Sequence, residues 1–397
     1  MKKKLMLISP MLHQGGFERV CVTTARLMEP YFDVTIVIFD SADIAYDVQG
    51  LHIIDIQMGA QSGKGRKILN IIRRSRKVKQ LKKQMKTDIA YSFGLSANMV
   101  NAFSKTGKEK VWLGLRSYLD VKETMKIRLF MRQADSIICC SKTIENELKI
   151  RFGFNKSTTL YNPYDVKMIK EEAYSRNPEL PWGEFDHEGR KIRCMISMGR
   201  DDDLKGFWHM LKAFALIHEK MPQTRLIIMG DGTFAEYKAL AEKLKIANAI
   251  YFPGMCREPY PYLKMGEIYL LTSLTEGFPN ALVEGMSLGL APVSVNCMSG
   301  PAEILLEKND TSLFEQQKKE GKTPVIYGEY GILLPMMSRE KNLDPECILE
   351  EERNMADIVC KLLADDETLE KYQKAAWQRS QCFTYENYVE QILKLAE

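Results

Sequence analysis

Eleven short runs of apolar and β-branched residues, separated by helical or turn segments, restrict the fold of this chain more than any other feature. Six fall at 5–9, 34–39, 53–56, 89–92, 111–115 and 136–140, and five more at 194–198, 225–229, 249–252, 268–271 and 291–295. Strands that are apolar almost throughout, without polar alternation, are buried on both faces, which implies parallel sheets covered by helices on each side. The rhythm pauses over 162–190, where Asn162-Pro163 and the segment SRNPELPWGEFDHEGRK are rich in breakers and charge. At 397 residues, 45% hydrophobic and 27% charged, the chain is too long for one ordinary core and has the composition of a globular protein. The reading is therefore α/β, with two doubly wound Rossmann-like domains: 1–170, a linker at 171–190, and 191–378. The polar stretch 306–328 reads as a surface excursion before the strand-like YGILLP.

The nine cysteines are scattered, with Cys139 and Cys140 adjacent and no C-x2-C pair, so neither a disulfide framework nor a zinc site is suggested. The start, MKKKLMLISPML, carries basic residues before an apolar run too short for a leader and lacking a small-residue cleavage site, and reads as a first strand. No segment approaches the roughly 20 apolar residues needed to span a bilayer. A cytoplasmic enzyme is expected, with any membrane contact peripheral.

Ligands of open α/β sheets lie at the carboxyl ends of strands, and most candidate motifs fall at such ends. Residues 273–305, SLTEGFPNALVEGMSLGLAPVSVNCMSGPAEIL, follow a strand with a turn at 277–280 and a helix at 281–288, ended by Gly289. Past Pro279, the backbone N–H groups near Asn280, Ala281 and Leu282, at the positive end of the helix dipole, favour a diphosphate. Glu284 can accept from vicinal hydroxyls, and Glu276, on the loop, can do the same for a sugar ring. The bland alternative is two solvated surface acids. After the strand at 194–198 comes SMGRDDDLKGFWHMLKAF, where the Arg200 fork and the Lys205 point charge, next to Gly199, suit a diphosphate and the charge that develops as it leaves. Here the alternative is simple pairing with Asp201, Asp202 and Asp203. Those acids also form a D-x-D, a pattern able to hold a divalent metal. Gly230 and Gly232 in MGDGTF and Gly254 in YFPGM read as nucleotide-bordering turns or as ordinary strand-to-helix turns. In HQGGFERV, Gly15 and Gly16 allow close backbone approach before a helix near Phe17.

Glu276 and Glu284 stand at an E-x7-E spacing, and EGFPNALVEGMSLGLAPV followed by GPAEIL resembles family four of the GT-B glycosyltransferases, a large retaining family that includes bacterial polysaccharide and glycolipid sugar transferases. GGFERV is similar to that family's amino-terminal glycine loop, and GR-x4-KG to its donor-diphosphate motif. The resemblance implies two domains facing a cleft, with a helix in 379–397 crossing back to the first. It implies a retaining, metal-independent transferase that moves a sugar from a nucleotide-sugar donor, UDP-linked by expectation, to a glycan or polyprenyl-linked acceptor in capsule, lipopolysaccharide or other cell-surface polysaccharide synthesis. No cofactor beyond the donor co-substrate and no metal are implied, and D-x-D is set aside on that ground. Arg200 and Lys205 become the leaving-group clamp, Glu276 the donor-sugar contact and Glu284 the ribose contact. The chain departs from the family where members often carry a histidine at a middle strand end of the first domain. It offers YSFGLSAN and LGLRSYLD there, leaving His13, Arg116 and Ser117 as acceptor or phosphate candidates.

Two other classes share the fold. A nucleotide-sugar epimerase would need no acceptor, and a non-catalytic partner of another transferase would need no intact clamp. Residues 64–87, KGRKILNIIRRSRKVKQLKKQMKT, hold eleven Lys and Arg and no acid, with Ile68, Leu69, Ile71, Ile72, Val78, Leu81 and Met85 able to form an apolar face. They read as a helix packed on the first sheet, or as an interfacial helix drawn to anionic lipids at the inner membrane face. Nucleic acid is not expected, because the net charge is only +4 and no aromatics interleave the run.

Overall fold

The computed structural model describes residues 2–13 and 15–397 and divides into two compact units, Met1–Pro163 with Tyr385–Glu397, and Tyr164–Thr384. The first runs β1 (Lys3–Ser9), α1 (Gly16–Met28), β2 (Phe32–Ile38), β3 (Ile53–Asp55), α2 (Lys64–Met85), β4 (Ile89–Phe93), α3 (Leu95–Phe103), β5 (Lys110–Leu115), α4 (Tyr118–Lys122), α5 (Thr124–Phe130), β6 (Ser136–Cys139), α6 (Lys142–Phe152) and β7 (Ser157–Thr159). Its strands are all parallel, in the order β3-β2-β1-β4-β5-β6-β7. The period-two pleat sends Leu5 and Leu7 to one face, where they meet Val20 and Ala25 of α1 and Tyr388 and Ile392 of the C-terminal helix, Tyr385–Ala396. Met6 and Ile8 point the other way, against Val78 of α2 and Ala97 and Val100 of α3.

The second unit runs α7 (Val166–Ala173), β8 (Arg193–Met198), α8 (Phe207–Lys220), β9 (Thr224–Met229), α9 (Ala235–Lys243), β10 (Ile250–Gly254), α10 (Tyr260–Leu263), β11 (Ile268–Leu271), α11 (Asn280–Ser287), β12 (Ala291–Val295), α12 (Pro301–Leu305), α13 (Ser312–Lys319), β13 (Ile326–Tyr327), β14 (Ile332–Leu334), α14 (Glu350–Ala364) and α15 (Asp366–Ser380). The order is β10-β9-β8-β11-β12-β14-β13, parallel except for the antiparallel edge pair β13 and β14. Both sheets thus have the doubly wound form, each with one point where strand order reverses, between β1 and β4 and between β8 and β11.

The domain boundaries differ from those read in the sequence. Residues 164–190 belong to the second unit: Arg176 pairs with Glu258 at 3.1 Å and Lys264 Nζ donates to the Arg176 carbonyl at 2.9 Å, while Asp186 accepts from the Arg190 side chain at 2.7 Å and folds the breaker-rich stretch into a local turn. Residues 379–384 also belong there. The two connecting segments run side by side, with the Tyr164 N–H donating to the Phe383 carbonyl at 2.9 Å. Within 306–328, Phe314 is buried and organises α13, so part of the polar excursion is helical.

Candidate active site

In the second unit, the residues with chemistry follow the two strands that flank the point of reversal. Beyond β8, Gly199 donates its N–H to the Met229 carbonyl at 2.9 Å, and Gly230, beyond β9, donates to the Gly254 carbonyl at 3.0 Å. A side chain at Gly230 would strike the Gly199 carbonyl, and the Gly230 φ of 154° lies where L-residues are rarely found. The three glycines therefore bring neighbouring strand ends into contact. Gly199 does a second thing: a Cβ there would lie 3.1 Å from Lys205 Cδ and Cε, so its absence lets the lysine stem cross the loop. Lys205 Nζ then reaches Glu276 Oε1 at 2.7 Å, in a half-buried ion pair that joins the β8 and β11 loops. The Leu274 N–H donates to the Leu204 carbonyl at 2.8 Å and Thr272 Oγ1 to the Lys205 carbonyl at 3.1 Å, which fixes those loops together. Arg200 is exposed beside them.

The three acids after Arg200 diverge. Asp201 accepts from the Phe234 N–H at 2.7 Å, Asp202 caps the Leu204 N–H at 2.9 Å, and Asp203 pairs with Lys341 at 2.7 Å. The D-x-D oxygens are thus engaged in three separate local contacts.

Along the β11 loop, Ser273 Oγ and Thr275 Oγ1 are buried with no hydrogen-bond partner among the described residues. Ser299 Oγ donates to the Gly277 carbonyl at 2.8 Å, and Gly300, at φ 99°, leaves room for Pro279 Cδ, so the SGP sequence braces the turn that starts α11. Tyr164 donates to Asn280 Oδ1 at 2.6 Å. The Leu282 N–H turns back on the Pro279 carbonyl at 3.1 Å, so that amide is engaged within the turn instead of being open to an anion as the sequence suggested. Ala281, half-buried, precedes it. Glu284 is 1% exposed, with Oε1 3.5 Å from the Tyr260 hydroxyl. Glu172 of α7 is held above its ordinary carboxylate range, first by burial and then by Glu258 and Glu284. Glu172 and Tyr260 carry no motif, and only the packing of α7 and α10 beside α11 reveals them.

Sequence reasoning also missed His209, fully buried on α8. Its Nδ1 lies 2.7 Å from Glu352 Oε1 and its Nε2 2.9 Å from the Ser338 carbonyl, tying α8 to α14. The dipeptide WH gives no sign of a partner 143 residues away.

In the first unit, Gly15 is fully extended, at φ −169°, and the space a Cβ would take is filled by the Glu18 carboxylate. Tyr46 clamps the loop, its hydroxyl accepting from the Gly15 N–H at 2.9 Å and donating to the Gly15 carbonyl at 2.6 Å. Gly16 begins α1, and His13 is exposed, with Nδ1 3.3 Å from the Asp43 carbonyl. Arg116, just past β5, donates to Asn162 Oδ1 at 3.1 Å and to the Tyr91 hydroxyl, with its guanidinium 5.0 Å from the Phe93 ring centroid. Its Nε is buried without a partner among the described residues. Ser117 caps α4 with Asp120, whose Oδ2 accepts from the Arg116 and Ser117 N–H groups at 3.0 and 3.1 Å. Both candidates therefore have structural contacts within their own unit.

Residues 186–321 match the family model described as glycosyl transferases group 1. An uncharacterized glycosyltransferase from Methanocaldococcus jannaschii is 28% identical over 353 residues, covering 82% of this chain and 83% of its own. The N-acetylgalactosamine-N,N'-diacetylbacillosaminyl-diphospho-undecaprenol 4-alpha-N-acetylgalactosaminyltransferase of Campylobacter jejuni is 24% identical over 341 residues, covering 80% of this chain and 89% of its own. Among solved structures, Anabaena HepE in complex with UDP superposes with a TM-score of 0.74 at 17% identity, covering 100% of this chain and 99% of that one.

Proposed function

We propose that this chain, of GT-B fold and matching the group 1 glycosyl transferases over 186–321, is a glycosyltransferase that moves a sugar, with retention of configuration, from a UDP-sugar to a glycan carried on a lipid diphosphate at the inner membrane face. The observation that carries this is the grouping of Arg200 and Lys205 after β8 with Glu276 and Glu284 after β11, on both sides of the strand reversal where such sheets bind nucleotides. Two relatives support the donor and acceptor: HepE was solved with UDP, and the Campylobacter enzyme is named for a diphospho-undecaprenol acceptor.

The proposed reaction is a front-face substitution. The bond from the anomeric carbon to the diphosphate oxygen breaks, a bond to the acceptor oxygen forms on the same face, and the acceptor proton passes to the departing phosphate. Arg200 and Lys205 stabilise the negative charge that grows on the diphosphate, as a divalent cation does in other transferases. This makes a metal unnecessary in the proposal. Glu276 orients the donor sugar and Glu284 accepts from the ribose hydroxyls, so the protein contributes mainly positioning and fixed charge. In the second unit Gly230 and Gly254 border the donor through backbone, and in the first unit His13, Arg116 and Ser117 are assigned to the acceptor.

Thermal stabilisation by UDP, GDP and ADP, followed by transfer from the matching nucleotide-sugar, tests this reading. A nucleotide at 100 times its Kd should add about 2.7 kcal/mol to folded stability. Selective stabilisation by UDP is expected, with a product of the donor's anomeric configuration and transfer abolished by Arg200→Ala or Glu284→Ala. Full activity in both variants would refute the site, and epimerised donor without acceptor dependence would refute the transferase.

A further inference from the structure

Helices α2, α3 and α5 lie side by side on one face of the first unit, α3 packing against each of the other two. Together they contain twelve Lys and Arg and not one Asp or Glu. The whole chain carries a net charge of +4, so the remaining residues sum to −8. The positive charge of the protein is therefore concentrated on this face.

Helix α2 has two different halves. Its C-terminal half is anchored: Val78 is buried, and Lys82 pairs with Glu109 at 3.0 Å in the interior. Arg74 marks the change, donating through Nε to the Met58 carbonyl at 2.8 Å with its guanidinium 4.4 Å from the Phe39 ring centroid. Before Asn70, which donates to the Gly59 carbonyl at 2.8 Å, every residue of the helix is exposed. Ile68 is 62% exposed, Leu69 46% and Ile72 42%, so these three do not pack on the sheet as an apolar stripe would be expected to. Arg66, Lys67, Arg73 and Arg76 surround them in the open. Phe103, at the end of α3, is 42% exposed and shares a groove of about 280 Å³ with Ile72, Arg76 and Lys79. Across α3, helix α5 repeats the pattern, with Met125 80% and Leu129 53% exposed beside Lys126 and Arg128.

Large exposed aliphatics among Lys and Arg in excess over acids, of which Glu123 pairs with Lys126 at 3.0 Å just before α5, match the boundary of an anionic bilayer, where side chains enter the acyl edge while Lys and Arg meet headgroups. We propose that the face formed by α2, α3 and α5 docks the first unit on an anionic lipid surface, with Ile68, Leu69 and Ile72 as one inserting patch and Met125 and Leu129 as a second. The net negative remainder of the chain is repelled by the same surface, which fixes which side faces the lipid. Among the described residues no helix is long and apolar enough to cross a membrane, and the proposed contact is interfacial. The proposal deepens the lipid-linked acceptor reading but is tested apart from it.

The full chain is sedimented with phosphatidylglycerol-containing vesicles and with phosphatidylcholine alone, at rising salt. Binding is expected only to the anionic vesicles, falling with salt and by about fivefold for each exposed Lys or Arg removed on α2. Ile68→Ser with Leu69→Ser, and separately Met125→Ser with Leu129→Ser, should each weaken binding at least tenfold while circular dichroism and UDP binding stay unchanged. Leu69→Trp and, separately, Met125→Trp should each add emission, relative to the parent with its four tryptophans, that shifts to the blue on vesicle addition. Equal binding to neutral vesicles, no binding, or an unaffected Met125/Leu129 variant would overturn the proposal. So would tighter binding to duplex DNA than to vesicles, or a dimer dispersed by these substitutions. UDP binding that survives such a result leaves the donor-site reading intact.

Discussion

Lys205 and Glu276 are the pair on which the two proposed roles can be separated. In this structure each neutralises the other at 2.7 Å, and the Lys205 stem passes close over Gly199, where a Cβ would lie 3.1 Å from it. If the lysine serves the diphosphate and the glutamate the sugar, the two substitutions have different signatures. Lys205→Ala should weaken UDP binding by calorimetry and lower transfer together. Glu276→Gln should leave UDP affinity unchanged or tighter, because the lysine is released, while transfer falls by about 10²-fold or more. Equal losses of UDP affinity in both variants would refute that division. The sequence alone shows these residues by motif, since an Arg and a Lys after one apolar run and two glutamates after another are local patterns. It does not show that the lysine pairs with Glu276 and not with the adjacent Asp202 or Asp203. Nor does it show Tyr164 reaching Asn280, because partners that distant in sequence are chosen by packing.

Among the elements, buried parallel strands were legible because they are nearly continuous apolar runs. The edge strands β7, whose sequence is STT, and β13, of two residues, have no such signal and are defined by their neighbours. Helix α2 was legible as a helix but not in its burial, because an apolar stripe in sequence does not say how much of it finds a sheet to cover. The start of α4 carries its own pH dependence. Burial pushes the Asp120 carboxyl up to about 6, against the lowering effect of the Arg116 and Ser117 N–H bonds and the charges of Lys126 and Arg116. The folded state then holds the proton more tightly than the unfolded chain, whose value is near 3.8. Stability from this group is fully present below that lower value and is lost as pH rises through about 6. Urea unfolding of the parent against Asp120→Asn should show the parent losing about 3 kcal/mol relative to the variant between the two limits, and a constant difference would remove Asp120 as the source.

At the scale of the molecule, the first unit is assembled from both ends of the sequence. The C-terminal helix places Tyr388 and Ile392 in the same core as Leu5 and Leu7, Tyr388 lies 2.7 Å from Thr24 Oγ1, and the Ala396 carbonyl accepts from Lys3 Nζ at 3.0 Å and Lys110 Nζ at 3.3 Å. Deleting 385–397 should therefore destabilise the first unit by about 4 kcal/mol or more, estimated from two large side chains leaving a core. In differential scanning calorimetry the transition of the second unit, continuous from Tyr164 to Thr384, should be far less affected. This discontinuity also governs the order of events on the ribosome. The sheet of the first unit is synthesised early, yet the helix that covers one of its faces emerges only after all of the second unit has been translated. At about 5–20 residues per second that interval is roughly ten to forty seconds, during which the nascent chain carries an uncovered apolar strip past the exit tunnel. A chaperone that holds such a strip should thus find this chain an early and long-lived client, released when translation delivers the helix.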